Sequence, residues 1–354
     1  MKITSLKLTN FRNIESAHLQ LDNAPIVALY GENGAGKTSI LEAISLLSPG
    51  SGMHRHKLDD HIKHHEKTWA LHSNINNKDE ENTVGMLYQK GKRQLKINGE
   101  AAKAQAELSN LGNILWFTPK MDRLFMDSAS QRREFLDRLA FGHFPQHAQH
   151  LNRYKHHLKA RLKLLKENAA TTWIDIEEEQ ASHFAFLISQ SRNHYLKMLK
   201  THLDAIDLKL TGSFERMEKV DKKSIQEKLY ENRTRDGRFG SSHFGPHRSD
   251  VEGILQPENI NLSQTSTGQH KRAILEILLA NSRLTHQQTG EAPIILLDEM
   301  AAHLDSQTKE RFFSALIQLG SQIWLTGTEK EMFTSLQNVQ FFCACDGSFK
   351  KDID

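Results

Sequence analysis

A glycine-rich octapeptide near the N-terminus has the residue types and spacing of a phosphate-binding loop. It reads Gly-Glu-Asn-Gly-Ala-Gly-Lys-Thr and fits the P-loop pattern G-x-x-x-x-G-K-[ST]. The glycines let backbone N–H groups turn inward around phosphates, the lysine can reach the β- and γ-phosphates, and the threonine hydroxyl can ligate Mg²⁺. A structural glycine turn is the alternative. The predicted nucleotide-binding residues are Gly31, Glu32, Asn33, Gly34, Ala35, Gly36, Lys37 and Thr38.

The residues on either side of this loop predict the strand and helix that would hold it in place. Pro25–Tyr30 is a short apolar run, as expected of a buried parallel strand. Thr38–Ser45 has helical spacing and contains no helix breaker. Because a helix start presents free N–H groups and the positive end of the helix dipole, this order of elements favours phosphate binding.

A second candidate site lies where an apolar strand ends in two carboxylates. Pro293–Leu297 is followed by Asp298 and Glu299, which is a Walker B pattern. Open α/β sheets bind ligands at the carboxyl ends of their strands, so Asp298 is predicted to hold Mg²⁺ through its hydration shell. Glu299 points differently and can polarise a water molecule for attack on the γ-phosphate. An acidic turn that caps a strand is the alternative, and the P-loop makes it less favoured.

The segment Ser-Thr-Gly-Gln opens a long apolar helix shortly before the Walker B strand. Ser266 is a good N-cap, and Gly268 permits close approach to the backbone. The segment fits a plain helix start, and it also fits a helix start that holds phosphate. Its position before Walker B is the layout of the ATP-binding-cassette class, in which this signature serves the nucleotide of a partner subunit. Ser266, Gly268 and Gln269 are therefore predicted to act across a dimer.

Two shorter motifs follow Walker B. Ala302–Asp305 has the spacing of the cassette D-loop, and Asp305 also fits an N-cap for the next helix. Cassette proteins often place a γ-phosphate-sensing histidine after the last core strand. This chain has Thr326 and Thr328 in that region, and either hydroxyl could donate the hydrogen bond instead.

These elements together predict an α/β fold, an ATP-binding-cassette type P-loop ATPase head with a mixed sheet and an inserted helical arm. The chain has 354 residues, of which 25% are charged and 38% hydrophobic, as in a soluble protein of two or three domains. Helical periodicity dominates the middle of the chain, and strand patterns dominate both ends. We expect a discontinuous head, lobe I, at residues 1–115 and 245–354, and a helical arm, lobe II, at residues 116–244.

Composition disfavours several classes of protein. The apolar runs are much shorter than the ~20 residues that span a bilayer, and Met1–Asn10 alternates like a strand and unlike a signal peptide. The net charge of +3 is weak evidence for a polyanionic partner. Cys343 and Cys345 are predicted to be buried thiols in a reducing compartment. We expect a cytoplasmic protein without a membrane partner.

Several motifs together resemble the RecF family of bacterial recombination mediators, which is related to SMC proteins. The P-loop alone is generic, whereas Arg-Arg-x-Phe-Leu-Asp and Gly-Pro-His-Arg are much more specific. The resemblance runs from residue 3 to about residue 328. The matching segments are Leu6–Asn13, the P-loop with Leu41–Ala43, Phe117–Pro119, Arg132–Asp137, Gly245–Asp250 and the Ser266 signature.

The resemblance implies a weak, DNA-stimulated ATPase that uses ATP and Mg²⁺ and forms a homodimer on ATP. It implies binding to double-stranded DNA and to gapped or single-strand junction DNA. It also implies a role in DNA replication, recombination and repair, including the SOS response, in which RecA is loaded with the help of RecO and RecR.

By the same resemblance, the P-loop would bind ATP, Asp298 would assist Mg²⁺, and Glu299 with Lys37 would be catalytic. Arg12 would lie near the nucleotide. RecF proteins often carry two aspartates at Walker B, whereas this chain has Asp298-Glu299. A Q-loop glutamine is not evident, and Gln131 is a weak candidate.

Two basic segments are candidates for DNA contact. In the helical stretch Asn152–Lys166, a row of lysines could follow a phosphate backbone, or it could be a solvated face. This row consists of Lys155, Lys159, Lys163 and Lys166. A histidine cluster at residues 54–65 could lie near phosphate, bind a metal or be plain surface, and Arg55 and Lys57 are its better phosphate partners.

Three other functions remain open at this point. The chain could be the cassette ATPase head of an anti-phage system, although an acidic nuclease domain is missing from the pattern. It could be a transporter ATPase, which would leave the basic arm unexplained. It could also be a regulator that binds ATP without hydrolysing it.

Overall fold

The predicted phosphate-binding loop lies in one of two units into which the chain divides. The computed structural model describes residues 1–54, 56–78, 80–299 and 306–352. The two-sheet unit comprises Met1–Asp122 and Leu278–Asp354, and the helical unit comprises Arg123–Ile277.

The first sheet of the two-sheet unit is antiparallel, with strand order β2-β1-β4-β5-β6-β7. The register between β1 and β4 shifts between Ile3 and Ser5. Alternating apolar residues such as Leu6 and Leu8 face the core, as the sequence pattern predicts. Its strands are β1 (Lys2–Phe11), β2 (Ile14–Gln20), β4 (Thr68–Asn77), β5 (Glu80–Gln89), β6 (Lys92–Ile97) and β7 (Glu100–Ala101).

The second sheet is mixed and carries the nucleotide motifs, with strand order β15-β14-β3-β13-β12-β8. All neighbouring pairs are parallel except β14 with β15. The parallel strands are almost fully buried, so their sequences are continuous apolar runs. The strands are β3 (Ile26–Tyr30), β8 (Ile114–Phe117), β12 (Ile294–Leu297), β13 (Ile323–Gly327), β14 (Val339–Cys345) and β15 (Ser348–Lys351).

Helices cover these strands and share a core with them. Helix α1 (Lys37–Ser45) begins inside the predicted P-loop and is buried on nearly every side. Its Ile40 and Ile44 belong to the same apolar cluster as Trp69 of β4 and Trp324 of β13. Helix α8 (Ser306–Gln318) precedes β13. The P-loop is therefore fixed between a buried strand and a buried helix.

The helical unit contains five complete α-helices, the first part of a sixth and a three-stranded antiparallel sheet of order β11-β10-β9 among its described elements. Its core is centred on Tyr154, Phe184 and Ile188. The elements are α2 (Ala129–Phe141), α3 (His147–Lys166), α4 (Thr171–Lys200), β9 (Ile206–Thr211), α5 (Lys222–Glu231), α6 (Arg233–Phe239), β10 (Asp250–Leu255) and β11 (Ile260–Asn261).

The division between the units differs from the predicted lobe boundaries at residues 115 and 245. Residues 245–277 group with the helical unit because β10 pairs with β9 along its whole length. Helix α7 (Thr267–Thr289) begins in the helical unit, and the division falls within it, after Ile277. The sequence patterns assigned residues 245–277 to the head because they resemble strands. Which distant strand they pair with cannot be predicted from a single sequence.

Candidate nucleotide site

The P-loop backbone adopts conformations that only its glycines tolerate well. Gly31 has φ 142°, and a Cβ there would lie 2.2 Å from the carbonyl oxygen of Ala344 on β14. Gly36 has φ 103° and packs against the side chain of Asn13. Larger residues would be strained in the backbone and would push the loop off its neighbours. The loop is consequently held in a fixed shape at the end of β3.

Walker A and Walker B meet at one point in the structure. The Thr38 hydroxyl donates a hydrogen bond to Asp298 Oδ1 at 3.0 Å. The Lys37 ammonium donates to the carbonyl oxygens of Gly31 and Glu32 at 2.6 and 2.7 Å, so it lies within the curl of the loop. Desolvation lowers the pKa of Lys37, while Glu299 and Asp298 oppose that shift. One hydroxyl, one carboxylate and one ammonium thus face the same small space.

Thr326 adds a further hydrogen bond to Asp298, and it lies on the strand between the P-loop strand and the Walker B strand. β13 lies between β3 and β12, and its Thr326 hydroxyl donates to Asp298 Oδ1 at 2.9 Å. The Thr326 hydroxyl oxygen in turn accepts a hydrogen bond from the backbone N–H of Glu299 at 2.9 Å. Burial raises the pKa of Asp298, and the hydrogen bonds from Thr326 and Thr38 oppose that shift. Thr328 instead contacts Met332, so Thr326 is the hydroxyl that the structure places in the site.

Glu299 has a backbone conformation that is uncommon for its residue type. Its φ is 53°, in the left-handed region, and its side chain is exposed. The chain therefore turns sharply directly after the Walker B strand, and the turn is fastened by the hydrogen bond to Thr326. Strained non-glycine residues cluster at functional sites, which fits the place of Glu299 directly after the Walker B strand.

The turn between β1 and β2 packs against the P-loop. Asn13 donates to the carbonyl oxygen of Gly34 at 2.7 Å and accepts from the Ser39 hydroxyl at 2.8 Å. Arg12 precedes it with φ 55°, and its backbone N–H donates to the carbonyl of His61 at 2.7 Å. The structure therefore brings Arg12 into the neighbourhood of the loop.

A buried polar group lies behind Asp298. Glu42 of α1 and His61 are fully buried, and His54 lies close to both Glu42 and Asp298. Burial raises the pKa of Glu42 to about 7, with the Arg12 charge and the His54 backbone N–H opposing it. Burial and the Arg12 charge lower the pKa of His54 and of His61 to about 4. Both imidazoles are therefore neutral at pH 7.

The donor set fits magnesium better than a transition metal. Thr38 and Asp298 offer oxygen atoms, which Mg²⁺ prefers. Among the described residues, no group of three or more histidine, cysteine or acidic side chains could hold a metal ion. The histidine cluster at residues 54–65 thus gives no support to metal binding, and Arg55 lies outside the described residues.

The signature segment forms a capped helix start on the surface of the helical unit. The Gln269 side chain accepts hydrogen bonds from the Ser266 backbone N–H and hydroxyl, both at 3.0 Å. Ser266, Gly268 and Gln269 are exposed, and a Cβ added at Gly268 would meet open space. The first turn of α7 is therefore accessible. The D-loop candidate Ala302–Asp305 lies outside the described residues.

The two motifs most specific to the resemblance form a buried structural centre in the helical unit. Arg192 makes a two-pronged ion pair with Asp137 at 2.7 and 2.8 Å and donates to the Pro246 carbonyl at 2.7 Å. Gly245 has φ 133°, and a Cβ there would lie 2.1 Å from the Tyr154 hydroxyl. These residue types hold the Gly-Pro-His-Arg turn against α2 and α4.

The structure also shows the surroundings of three smaller sets of residues that the sequence singled out. Gln131 is the N3 residue of a capping box at the start of α2, where its side chain accepts from Ser128. Arg161, which the basic helical stretch includes, is fully buried and pairs with Glu178 and Asp236, so it cannot reach DNA. Cys343 is half-buried and Cys345 is exposed, so the prediction that both are buried was wrong, because β14 is covered on one face only.

The predicted lysine row stays on the surface. Its four members on α3 are exposed, and Lys163 lies 3.9 Å from Glu167. A helix with one buried apolar face leaves such a row free to meet an extended polyanion. The exposed lysines are Lys155, Lys159, Lys163 and Lys166.

Sequence reasoning missed Asn13, Glu42 and His54 as members of the site. Asn13 and Glu42 were read only as parts of motifs, and His54 only as one of a cluster. Glu42 could have been noticed from the sequence, because it is a charged residue one helical turn after Thr38 with apolar neighbours on both sides.

The fold and this site define a class. This is an α/β P-loop protein with a head of the ATP-binding-cassette and SMC type and an inserted helical unit. An Smc head bound to the C-terminal winged-helix domain of ScpA aligns with a TM-score of 0.54 at 16% identity, over 99% of this chain and 97% of that one. The structure of the recombination mediator protein RecF-ATP in the RecFOR pathway aligns with a TM-score of 0.86 at 24% identity, over 99% and 97%.

Sequence relatives define the family within that class. The family model "RecF/RecN/SMC N terminal domain" matches residues 2–345. DNA replication and repair protein RecF of Rhizobium rhizogenes is 34% identical over 99% of this chain and 98% of its own length. The same protein of Agrobacterium fabrum is 34% identical over 98% of each chain. This chain belongs to the RecF family.

None of the helices in the described ranges combines the length and apolar character that a membrane crossing requires.

Proposed function

We propose that this protein is an ATP-gated DNA clamp that acts in DNA recombination and repair. Two copies would enclose two ATP molecules, with each copy supplying the P-loop and Walker B residues to one nucleotide and its Ser266 helix start to the other. The closed dimer would be the state that binds DNA. Hydrolysis would reopen the dimer and release the DNA.

The observation that carries this proposal is the pairing of a formed phosphate site with an exposed signature. Lys37, Thr38 and Asp298 already converge, with Thr38 and Asp298 joined by a hydrogen bond of 3.0 Å. Ser266 and Gly268 are exposed at a helix start, where free N–H groups and the helix dipole attract phosphate. This exposed helix start could bind the phosphates of a nucleotide that is held by a second copy of the protein.

The side chains divide the work of hydrolysis. Thr38 and Asp298 would hold Mg²⁺, which when bound neutralises phosphate charge. Lys37 would leave its carbonyl partners to contact the β- and γ-phosphates. Glu299 would orient and polarise the attacking water, while Thr326 keeps the Glu299 backbone in place. Turnover would be slow, since the role of ATP is to time the clamp.

The family and the surface support the proposed DNA and protein partners. RecF relatives act in DNA replication and repair, and a RecF structure belongs to the RecFOR pathway. We propose that the exposed lysine row of α3 contacts the phosphates of double-stranded DNA at gaps or single-strand junctions. The clamp would then help RecO and RecR to load RecA, in the cytoplasm.

Light scattering with two variants tests the proposal. Lys37→Met should abolish ATP binding, whereas Ser266→Arg should retain ATP binding and lose ATP-dependent dimerisation, because a bulky cation replaces the N-cap that faces the partner's nucleotide. Ser213→Arg, at an exposed serine of the same unit, is the matched control and should dimerise normally. Normal dimerisation of Ser266→Arg would refute the shared site.

A further inference from the structure

The most unusual group that the proposed function leaves unexplained is the buried carboxylate of Glu42. Its side chain is fully buried, and among the described residues neither carboxylate oxygen has a hydrogen-bond partner of ordinary geometry. Buried polar atoms are nearly always hydrogen-bonded, so an exception in a native fold calls for an explanation. Glu42 is on α1, one turn after the Thr38 of the P-loop.

His54 lies between this carboxylate and the Walker B carboxylate. Its Nε2 is 3.8 Å from Glu42 Oε2 and 4.0 Å from Asp298 Oδ2, and its side chain is 14% exposed. These distances are longer than hydrogen bonds, and a shift of about 1 Å would bring the ring N–H within reach of either oxygen. Asp298 Oδ1 already accepts from Thr38 and Thr326, whereas Oδ2 accepts no hydrogen bond from a residue within the described ranges.

Contacts with α1 hold the segment that precedes His54 in position. Gly52 has φ 75°, and a Cβ there would lie 3.0 Å from both Glu42 Oε1 and Ser45 Oγ. The next residue, Met53, donates its backbone N–H to the Ser45 hydroxyl at 2.8 Å. On the other side, Gln105 donates to the Gly50 carbonyl at 2.7 Å. The backbone therefore approaches Glu42 more closely than any residue except glycine would allow.

We propose that His54 is a positioning residue for Asp298 and that the buried Glu42 side chain, 3.8 Å from the same ring nitrogen, limits where the ring can lie. The imidazole N–H would bind Asp298 Oδ2 and fix the rotation of the carboxylate about its Cβ–Cγ bond. Oδ1 would then face the Thr38 hydroxyl and the Mg²⁺ side of the site. This inference rests on the proposed Mg²⁺-ATP site and adds to it an outer hydrogen bond on the Asp298 carboxylate, of the kind that orients metal ligands.

The test is the Mg²⁺ dependence of nucleotide binding, followed by the fluorescence of a slowly hydrolysed ATP analogue. In His54→Leu, the Mg²⁺ concentration for half-maximal binding should rise about 10-fold, in the range for loss of a partner of a metal ligand. Analogue affinity in EDTA should stay unchanged. His54→Gln, which retains an N–H donor, should recover most of the loss. His72→Leu, at an exposed histidine of β4, is the matched control.

Each outcome bears on the inference. An unchanged Mg²⁺ requirement in His54→Leu would overturn it and leave the proposed function intact. Equal losses in the Leu and Gln variants would also overturn it, since the N–H donor would then have no role. If the unmodified protein bound no analogue at any Mg²⁺ concentration, the proposed function would fall together with the inference.

Discussion

Buried charged groups are arranged in opposite ways in the two units. In the helical unit, Asp137 is bound by Arg192 through two hydrogen bonds and lies 2.9 Å from the ring of His147. In the two-sheet unit, Glu42 and His61 are fully buried, and their polar side-chain atoms have no hydrogen-bond partner of ordinary geometry among the described residues. The first arrangement satisfies its members, and the second leaves them unsatisfied.

The difference separates a structural role from a functional one. Breaking a paired buried group mainly costs stability, because it leaves an uncompensated charge in the core. An unsatisfied buried group destabilises the fold, so its presence beside the phosphate-binding loop indicates a use there. The Arg-Arg-x-Phe-Leu-Asp motif thus belongs to the architecture of the helical unit, and the α1 glutamate belongs to the nucleotide site.

The largest expected effect on stability comes from breaking the buried pair of Arg192 and Asp137. Arg192→Leu should lower the free energy of unfolding by about 3–5 kcal/mol, because it strands the Asp137 carboxylate in the core. Urea denaturation of the full chain measures this. Arg153→Leu removes an exposed arginine of α3 that lies over Phe184, and should cost about 1 kcal/mol or less. Similar losses in both variants would remove the distinction between paired and surface charges.

Replacing Glu42, the unsatisfied group, should raise the stability of the fold, whereas replacing Arg192 lowers it. Burial raises the pKa of Glu42 from 4.5 to about 7, so its stabilising contribution is complete below pH 4.5 and is lost as the pH rises through about 7. Glu42→Gln has no such loss. The variant should therefore gain stability relative to the unmodified protein between pH 4.5 and pH 7.5, by up to about 3 kcal/mol.

Thermal unfolding across this pH range, without nucleotide, measures that gain. His54 and His61, whose pKa is lowered to about 4, contribute stability that is lost as the pH falls from 6.5 toward 4. Both proteins carry these histidines, so their effect cancels in the difference. Parallel stability profiles for the two proteins would mean that Glu42 is satisfied after all.

A smaller effect is expected at the link between the two Walker carboxylates. Thr326→Val removes the donor to Asp298 and leaves the Glu299 backbone N–H without its acceptor, so it should cost about 1–2 kcal/mol of stability. Thr326→Ser keeps both hydrogen bonds and is the matched control. If the valine variant matched the serine variant in urea denaturation and in ATP turnover, the Thr326 hydroxyl would have no role in positioning Asp298 and Glu299.

Local patterns predicted the nucleotide motifs and the fold class, because they depend on residues close together in sequence. The P-loop, its flanking strand and helix, and the Walker B strand all follow from apolar runs and glycine spacing. Contacts over distance could not be predicted in this way. The pairing of β10 with β9 places residues 245–277 in the helical unit, and the burial of Arg161 within the basic stretch depends on ion pairs with distant residues.

The same limit explains the missed members of the site. The placement of His54 depends on Gly52, on Ser45 and on the meeting of α1 with β12, which no single segment encodes. Asn13 reaches the P-loop only because β1 and β2 turn at that residue. A lone glutamate on an otherwise apolar turn of a helix was the one local signal that pointed to this group.

The central claim, that ATP closure creates the DNA-binding state, is tested most directly by DNA affinity in three nucleotide states. Gel shifts with gapped duplex DNA would compare ATP, ADP and a slowly hydrolysed ATP analogue at one salt concentration. The account predicts tight binding with the analogue, weaker binding with ATP as it turns over, and the weakest binding with ADP. Equal affinity in all three states would contradict it.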